Sequence, residues 1–464
     1  MPPAPVVQRP ALIFALFAGF LGFAVAGFAP QIFHDGDTWW HLAAGGWMLD
    51  HRAVLARDVF SFTFAGRPWD AQEWLSEVLM ALAFYGLGWN GLHLLFGFAL
   101  AATAAIVAGG VGSRIDALPA LLVSLVGLAC LSGSVLARPH LLALPLLALW
   151  TWELLQARDE RRAPGWWLVA VMLLWANLHG SFAFGLALAL AFGLEAAIEK
   201  SAAVKSWGLF FFACVIAAIV TPQGLHGLLF PFQLLVMGSI RNIGEWASTS
   251  LTQLTPFPIA LAGIFYLGAS GKLKLSWLRA VIVVGLAYLA LAHVRHQMLL
   301  GIVVPLLVAA ALQRKYPPEE IALPRWLAPL GAGLLALLIV ARIAIPTARG
   351  DDRVSPMTAL AQVPPALRIQ PVLNAYDFGG YLIFSGVNVY VDGRTDMYGD
   401  TFLANYDLMM SPDRKALMDN LAHWHITWSI LPPGPAAQMM DSLPGWQRLY
   451  SDGIAVVHIR RNPS

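Results

Sequence analysis

Carboxylate and imidazole side chains are concentrated in one short segment near the N-terminus. His34, Asp35, Asp37 and His41 lie close together, and a helix is predicted to begin among them. Carboxylates at the start of a helix face the positive end of its dipole and its free backbone N–H groups, which keep them ionised and fixed in direction. A carboxylate held in this way is suited to act as a general base. We therefore predict that Asp37 or Asp35 is catalytic; an N-cap role for one of them is the alternative.

Two arginines, Arg138 and Arg295, stand in short polar segments between long apolar runs. A guanidinium at a membrane surface is a planar, permanently charged fork that matches a pair of phosphate oxygens. We predict that both arginines bind a phosphate, together with His140 and His296; contact with lipid headgroups is the alternative for each arginine. The predicted substrate-binding residues are His34, His41, Glu73, Asn177, His179, His226, Glu245 and His293. Glu73 and Glu77 share a helix face, and a solvated face is the alternative for this pair.

The elements that position these residues are predominantly apolar. Of the 464 residues 58% are hydrophobic and 12% are charged, whereas soluble globular proteins have about 25% charged residues. This composition excludes a soluble enzyme and predicts an α-helical polytopic membrane protein with about eleven membrane helices. We place these helices near residues 11–29, 90–111, 117–136, 141–157, 165–179, 181–198, 206–221, 257–270, 279–294, 297–313 and 326–346.

Lysine and arginine are unevenly distributed between the two sets of helix ends. One set has 13 of these residues and the other has 5, and cytoplasmic loops are the richer in Lys and Arg. The N-terminus is therefore predicted to be cytoplasmic, in the inner membrane of a bacterium. The first outer loop, residues 30–89, and the C-terminal region are then periplasmic. A cleaved signal peptide is the alternative for the first helix, but its apolar run exceeds the usual length of about 7–15 residues.

Histidines are also unevenly distributed between the two sets of helix ends. All nine that precede residue 350 lie at predicted outer helix ends or in outer loops. Ionisable side chains at membrane depth commonly mark a functional site, so we predict a shared site on the outer face.

The chain divides into a transmembrane domain, residues 1–349, and a periplasmic α/β domain, residues 350–464. The second part has 11 acidic and 8 basic residues. We predict strands at 371–376, 388–391, 427–431 and 454–459, and helices at 402–410 and 415–424. The segments Asp377–Tyr381 and Asp392–Asp396 follow the first two strands, where ligands bind in open α/β sheets. Turn formation explains these Asp and Gly residues equally well.

Several of these segments resemble one family. An acidic first outer loop that forms an interfacial helix and leads through Trp69–Glu77 into the next crossing resembles the C-type glycosyltransferases (GT-C superfamily). Ala137–His140, Asp377–Tyr381 and Asp392–Arg394 are similar to a bacterial group related to the aminoarabinose and protein mannosyl transferases. The resemblance extends over nearly the whole chain.

The resemblance implies an activity and its partners. It implies that a sugar is moved from a polyprenyl-phosphate donor to a glycan, lipid or protein acceptor, with Asp37 or Asp35 as the base. No cofactor is certain, because some members of the family use a divalent metal and others lack one. A metal site would require that Asp35, Asp37, His34 and His41 converge. A nucleic-acid partner is not expected.

Two other functions stay open from the sequence. The first is a transporter or flippase of lipid-linked glycans, which would place charges near the midplane and commonly shows repeated halves. The chain has no convincing internal repeat. The second is a non-catalytic envelope assembly protein, in which the first-loop aspartates would be freely replaceable.

Overall fold

The computed structural model describes residues 6–8, 10–234, 237–238, 244–312, 321–323, 326–411 and 413–461. The helices are α1 (Pro10–Phe28), α2 (Asp37–His51), α3 (Trp74–Gly112), α4 (Ala117–Ala129), α5 (His140–Asp159), α6 (Trp167–Leu178), α7 (Phe182–Ile198), α8 (Val204–Ile219), α9 (Gly224–Leu234), α10 (Pro256–Ala269), α11 (Trp277–Ala292), α12 (Gln297–Ala311), α13 (Leu327–Ala344), α14 (Met357–Ala361), α15 (Pro365–Arg368), α16 (Gly379–Phe384), α17 (Thr395–Met410), α18 (Arg414–His423) and α19 (Pro435–Asp441). The strands are β1 (Val6–Gln8), β2 (Ile321–Leu323), β3 (Val372–Asn374), β4 (Trp428–Leu431), β5 (Trp446–Ser451) and β6 (Val456–Arg460).

Each of the eleven predicted apolar segments contains a helix, from α1 to α13 with the exception of α2 and α9. Within the described residues, four helices are long and apolar enough to cross a membrane, and a fifth is obtained if the bent pair α8 and α9 is one span. Five further apolar helices are shorter. The number of eleven crossings therefore stays a prediction.

Five of the basic residues on which the predicted orientation depends lie outside the described residues, as does the last residue of the predicted helix 297–313. The basic residues concerned are Arg9, Arg241, Arg314, Lys315 and Arg325.

The long helix α3 connects the first outer loop to the apolar core. It is interrupted at Leu87 and Gly88, where Gly88 has a φ of +58°, a conformation that glycine adopts without a steric penalty. The part before this break carries Glu77, and the part after it packs along α1. At Gly22 the two helices are so close that a Cβ atom would lie 2.9 Å from the carbonyl oxygen of Leu100. The small residue therefore permits close packing of α1 against α3.

The C-terminal region contains a four-stranded sheet in the order β3-β4-β6-β5. β3 and β4 are parallel, with Val372 opposite Trp428, and the other two pairs are antiparallel. The predicted small α/β region is present, although β5, α16 and α19 were not predicted. The sheet is covered by α17 and α18, which were predicted with ends displaced by a few residues.

The predicted strand at 388–391 is wrong. The side chain of Asn374 accepts a hydrogen bond from the Tyr390 N–H and donates one to the Val391 carbonyl, at 2.8 and 2.7 Å. These bonds replace part of a regular ladder. Val389 instead exchanges backbone hydrogen bonds with Phe60 and Phe62 of the first outer loop. The segment therefore joins the C-terminal sheet to this loop.

A buried ion cluster strengthens the same junction. Arg394 contacts Asp392 in its own segment at 2.7 Å and Asp58 of the first outer loop at 2.6 Å, and all three side chains are fully buried. Close by, the Trp69 indole N–H donates to Asp396 at 3.1 Å. Because each buried charge has a partner, the cluster stabilises the attachment of the loop to the C-terminal region.

We expect Arg394→Leu to weaken this attachment, since it leaves the carboxylates of Asp58 and Asp392 buried without their cation. Removing one partner of a buried ion pair costs about 3–5 kcal/mol. The measurement is the unfolding temperature of the full chain in detergent, together with the rate of proteolysis between residues 52 and 69. Arg448→Leu is the control, because its pair with Asp441 is exposed. Equal stability of the two variants would contradict the expectation.

Candidate active site

The guanidinium of Arg138 joins three carboxylates at the start of α2. Asp35 accepts from Nε and, at 2.5 Å, from Nη2 of Arg138, which is a bidentate arrangement. Nη1 lies 2.9 Å from Oδ2 of Asp37 and 2.6 Å from Oε1 of Glu245. The structure thus brings together four of the residues predicted from the sequence. We call Asp35, Asp37, Arg138 and Glu245 the carboxylate–arginine cluster.

Backbone contacts hold this cluster in place. The Ala137 N–H donates to the carbonyl of Ile32 at 2.7 Å, and the Thr38 hydroxyl donates to the carbonyl of Ala137 at 3.0 Å. The residue before Arg138 is therefore fixed to both sides of the segment that carries the aspartates.

The N-cap position of α2 is occupied by Gly36, which has no side chain for capping. Asp35 accepts one long hydrogen bond, 3.4 Å, from the Asp37 N–H. Asp37 is the first helical residue, and its Oδ1 accepts from the Trp40 indole N–H at 2.9 Å. Trp40 therefore fixes the direction of the Asp37 carboxylate.

Histidines and glutamates form a second group next to the cluster. His41 Nδ1 lies 2.9 Å from Oε1 of Glu77, and His179 Nε2 lies 3.1 Å from Oε1 of Glu73. The Ser181 N–H donates to Nδ1 of His179 at 3.0 Å, so the proton of the neutral ring is on Nε2 and points to Glu73. Glu77 is 1% exposed. The alternative of a solvated face is therefore wrong for Glu77, which faces the buried His41, whereas Glu73 is 25% exposed and faces His179.

Arg295 belongs to a third group beside Glu245. Its guanidinium lies over the Trp246 ring at 4.5 Å, and Nδ1 of His293 donates to the Trp246 carbonyl at 2.7 Å. The ring of His296 lies 5.9 Å from that of Trp246. In the part of the chain that the structure describes, no carboxylate lies within ion-pair distance of Arg295. Arg295 nevertheless acts on Glu245 over a longer distance, since its charge helps to lower the pKa of that carboxyl.

Three predicted residues are placed away from these groups. His34 is exposed beside a small cavity of about 120 Å³ near Arg349. His226 is exposed and paired with Asp70 at 3.1 Å. Asn177 accepts from the Trp74 indole at 2.9 Å and donates to backbone carbonyls of Leu173 and Val220. His140 lies nearer the site, 6.2 Å from the His179 ring, and Nε2 donates to the Ser134 carbonyl.

Glycines of the C-terminal region contact the start of α2. A Cβ atom on Gly393 would lie 1.8 Å from Oδ1 of Asp37, and one on Gly380 would lie 2.0 Å from the carbonyl oxygen of Gly36. The two glycine-containing segments, Asp377–Tyr381 and Asp392–Asp396, therefore pack against the candidate catalytic residues. The sequence singled out both segments but did not predict their contact with α2. It also did not predict that Glu77 pairs with His41 or that the Trp246 ring lies under Arg295.

A cavity of about 590 Å³ adjoins the same region. Its lining includes Tyr376, Asp377, Thr395, Asp400, Tyr406 and Asp407. The Tyr376 and Thr395 hydroxyls lie 2.7 Å apart, and the Thr395 N–H donates to the carbonyl of Gly393, the residue that contacts Asp37. The wall of the cavity is thus continuous with the candidate base.

Burial changes the ionisation of the site. It raises the pKa of Asp37 to about 7, with Arg138 opposing and Asp35 reinforcing the change. Burial also raises the pKa of Glu73 to about 8. For Glu245 burial acts in the same direction, but Arg138 and Arg295 outweigh it and lower the pKa to about 2. Burial keeps the pKa of His41 well below its usual value, so this ring is neutral at pH 7.

The residues expected for a divalent metal do not fit one. Both oxygens of Asp35 accept from Arg138, Asp37 is shared between Arg138 and Trp40, and His41 uses Nδ1 on Glu77. Across the described ranges, no three His, Cys, Asp or Glu side chains are grouped so that they could hold a metal ion. The guanidinium lies where the carboxylate oxygens converge.

Comparisons with known proteins give structural likeness alone. No protein-family model and no curated protein matches the chain in sequence. The archaeal oligosaccharyltransferase AglB from Archaeoglobus fulgidus, solved in complex with an inhibitory peptide and a dolichol-phosphate, is similar with a TM-score of 0.59 and 9% identity. The match covers 90% of this chain and 69% of AglB.

A second solved structure is the arabinofuranosyltransferase AftD from Mycobacteria, with a TM-score of 0.51 and 14% identity. It is matched over 99% of this chain, which spans 42% of the length of AftD. Both proteins are membrane glycosyltransferases of the GT-C superfamily. Together with the apolar helices, these likenesses show that the chain has the fold of the GT-C membrane glycosyltransferases.

Proposed function

We propose that this protein is a membrane glycosyltransferase that moves a sugar from a polyprenyl-phosphate-type donor to a glycan, lipid or protein acceptor. The observation that carries the proposal is Asp37, a half-buried carboxylate with a raised pKa at the start of α2, in a GT-C fold. Reaction on the periplasmic face of a bacterial inner membrane, with the C-terminal region in the periplasm, is part of the proposal. It is supported by the excess of Lys and Arg at the opposite helix ends.

Asp37 is the better of the two candidate bases. Asp35 is held on both oxygens by one guanidinium, so both oxygens are already engaged by Arg138. Asp37 is 21% exposed in its side chain and contacts the segment that lines the cavity. Its raised pKa also matches a base that works near neutral pH.

In this mechanism Asp37 removes the proton of an acceptor hydroxyl. The oxygen then attacks the anomeric carbon from the face opposite the phosphate, the bond from carbon to phosphate oxygen breaks, and the configuration is inverted. General base catalysis of this kind typically contributes about 10² to 10⁴-fold.

Arg295 is the main candidate for holding the leaving phosphate. Its guanidinium stacks on Trp246 and, among the described residues, lacks a carboxylate partner. A cation is most effective where negative charge grows during the reaction. Arg138 faces three carboxylates, so its charge is already compensated. His140 and His296 each have a ring nitrogen on a backbone carbonyl and would act as secondary contacts.

The acceptor is proposed to enter through the cavity beside Tyr376. Its volume of about 590 Å³ falls in the range of about 300–1,000 Å³ that is usual for small-molecule sites. The hydroxyls of Tyr376 and Thr395 and the carboxylate of Asp377 offer hydrogen-bond partners to an acceptor hydroxyl. The continuity of this wall with Gly393 would bring that hydroxyl towards Asp37.

Asp37→Asn is expected to reduce sugar transfer by about 100-fold or more, because an amide does not accept the proton at neutral pH. The measurement is transfer from a panel of radiolabelled polyprenyl-phosphate sugars by the purified full chain in lipid vesicles. Asp70→Asn, in the same outer loop but half-exposed and paired with His226, is the matched control. Undiminished transfer by both Asp37→Asn and Asp35→Asn would remove the proposal and favour a non-catalytic assembly protein.

The pH profile provides a second expectation. A base with a pKa near 7 is protonated and inactive below that pH, so kcat/KM is expected to rise between about pH 6 and 8 and then level off. An aspartate with its usual pKa would give a flat profile over this range. Glu73→Gln removes a neighbouring carboxyl whose pKa is also raised and should leave the inflection in place. A flat profile in wild type would argue against Asp37 as the base.

Arg295→Lys tests the phosphate contact. Lysine keeps the charge but loses the planar fork and its stacking on Trp246. We expect kcat/KM for the donor to fall about tenfold, which corresponds to about 1.4 kcal/mol. Arg414→Lys, on the exposed surface of α18, is the control for a charge-conserving change. Unaltered donor kinetics of Arg295→Lys would place the phosphate elsewhere.

A further inference from the structure

We propose that Arg138 is the built-in cation of the active site and occupies the position that a divalent metal would need. This inference rests on the proposed function, since it assigns how the three carboxylates of that site are balanced. Arg138 is a positioning residue in this account, acting through Asp37 and Asp35.

Three carboxylates converge on Arg138. Asp35 and Asp37 come from the start of α2, and Glu245 comes from a separate loop more than 100 residues away. Carboxylate oxygens from separate segments that meet at one point are the usual ligands of Mg²⁺ or Mn²⁺. Here the point where they meet is filled by the guanidinium of Arg138.

Backbone and side-chain hydrogen bonds fix the position of Arg138. Its own segment is tied by Ala137 to Ile32 and Thr38, on either side of the aspartates. The bidentate contact with Asp35 also uses the planar shape of the guanidinium, which a metal ion could not replace without moving the carboxylate. Arginine and aspartates are thus built as one unit.

The remaining candidate metal ligands already have hydrogen-bond partners in the protein. His41 has Nδ1 on Glu77, and Asp37 Oδ1 accepts from Trp40. A metal between Asp35 and Asp37 would have to displace Arg138, which would leave a largely buried guanidinium without its partners. That exchange is unfavourable because an unpaired buried charge is costly.

The chemical role follows from this arrangement. Arg138 holds both oxygens of Asp35 and fixes Oδ2 of Asp37 at 2.9 Å, so that the Asp37 carboxylate keeps its direction towards the segment of Gly393. The carboxylate–arginine cluster then needs no divalent cation to hold its three carboxylates together.

The test is direct titration of the purified full chain with Mn²⁺, followed by electron paramagnetic resonance. Wild type is expected to bind no Mn²⁺ at this site. Arg138→Ala exposes three carboxylates and is expected to gain one Mn²⁺ per chain. The triple variant Arg138→Ala, Asp35→Asn, Asp37→Asn is expected to lose that ion again. Unfolding temperatures identify variants that fail to fold.

The wild-type titration decides the proposal even if Arg138→Ala does not fold. One Mn²⁺ bound by wild type and lost in Asp35→Asn would overturn it. So would a folded Arg138→Ala that binds no more Mn²⁺ than wild type. Because Mn²⁺ binding is read without a sugar substrate, these results are independent of the proposed transfer. If transfer is observed, it should withstand chelators in wild type, and Mn²⁺ should partly restore it in Arg138→Ala.

Discussion

The placement of one guanidinium among three carboxylates is the constraint on which the site depends. Arg138 brings Glu245 together with Asp35 and Asp37, although Glu245 is far from the two aspartates in the chain. Buried like charges repel one another, so the carboxylates converge only because a cation lies between them. The position of Arg138 is in turn set by backbone hydrogen bonds of Ala137. The geometry of the candidate base is therefore determined by the segment between α4 and α5 as much as by α2 itself.

A second constraint acts from the opposite side. Gly393 and Gly380 allow the C-terminal region to approach the start of α2 so closely that any larger residue would collide with Asp37 or with the Gly36 carbonyl. The buried Arg394–Asp58 pair attaches the first outer loop to the same region. The C-terminal region is thus a wall of the site. This explains why its two conspicuous segments, which follow the pattern of a ligand-binding sheet edge, contact protein at that edge.

The parts of the structure that sequence could predict are those determined by local pattern. Long apolar runs predicted eleven of the helices from α1 to α13, all except α2 and α9, and the start of α2 was expected from its acidic residues. The burial of Glu77 was not predictable, because i, i+4 spacing describes a shared face and not what covers it. The predicted strand at 388–391 failed since the Asn374 side chain takes over its hydrogen bonds. The contact of Arg138 with Glu245 depends on tertiary packing, which spacing in the sequence does not predict.

The two arginines predicted to act alike differ in their surroundings, and this difference separates two chemical tasks. Arg138 is surrounded by carboxylates, so it orients groups without presenting net positive charge to a substrate. Arg295 lies on the face of the Trp246 ring and, among the described residues, has no carboxylate at ion-pair distance, which is why it is the proposed phosphate contact. In the proposed transfer, a proton goes to the base while negative charge grows on the leaving phosphate. Arg138, which is paired with carboxylates, would orient the base as it takes up the proton. Arg295 would stabilise the negative charge that develops on the phosphate.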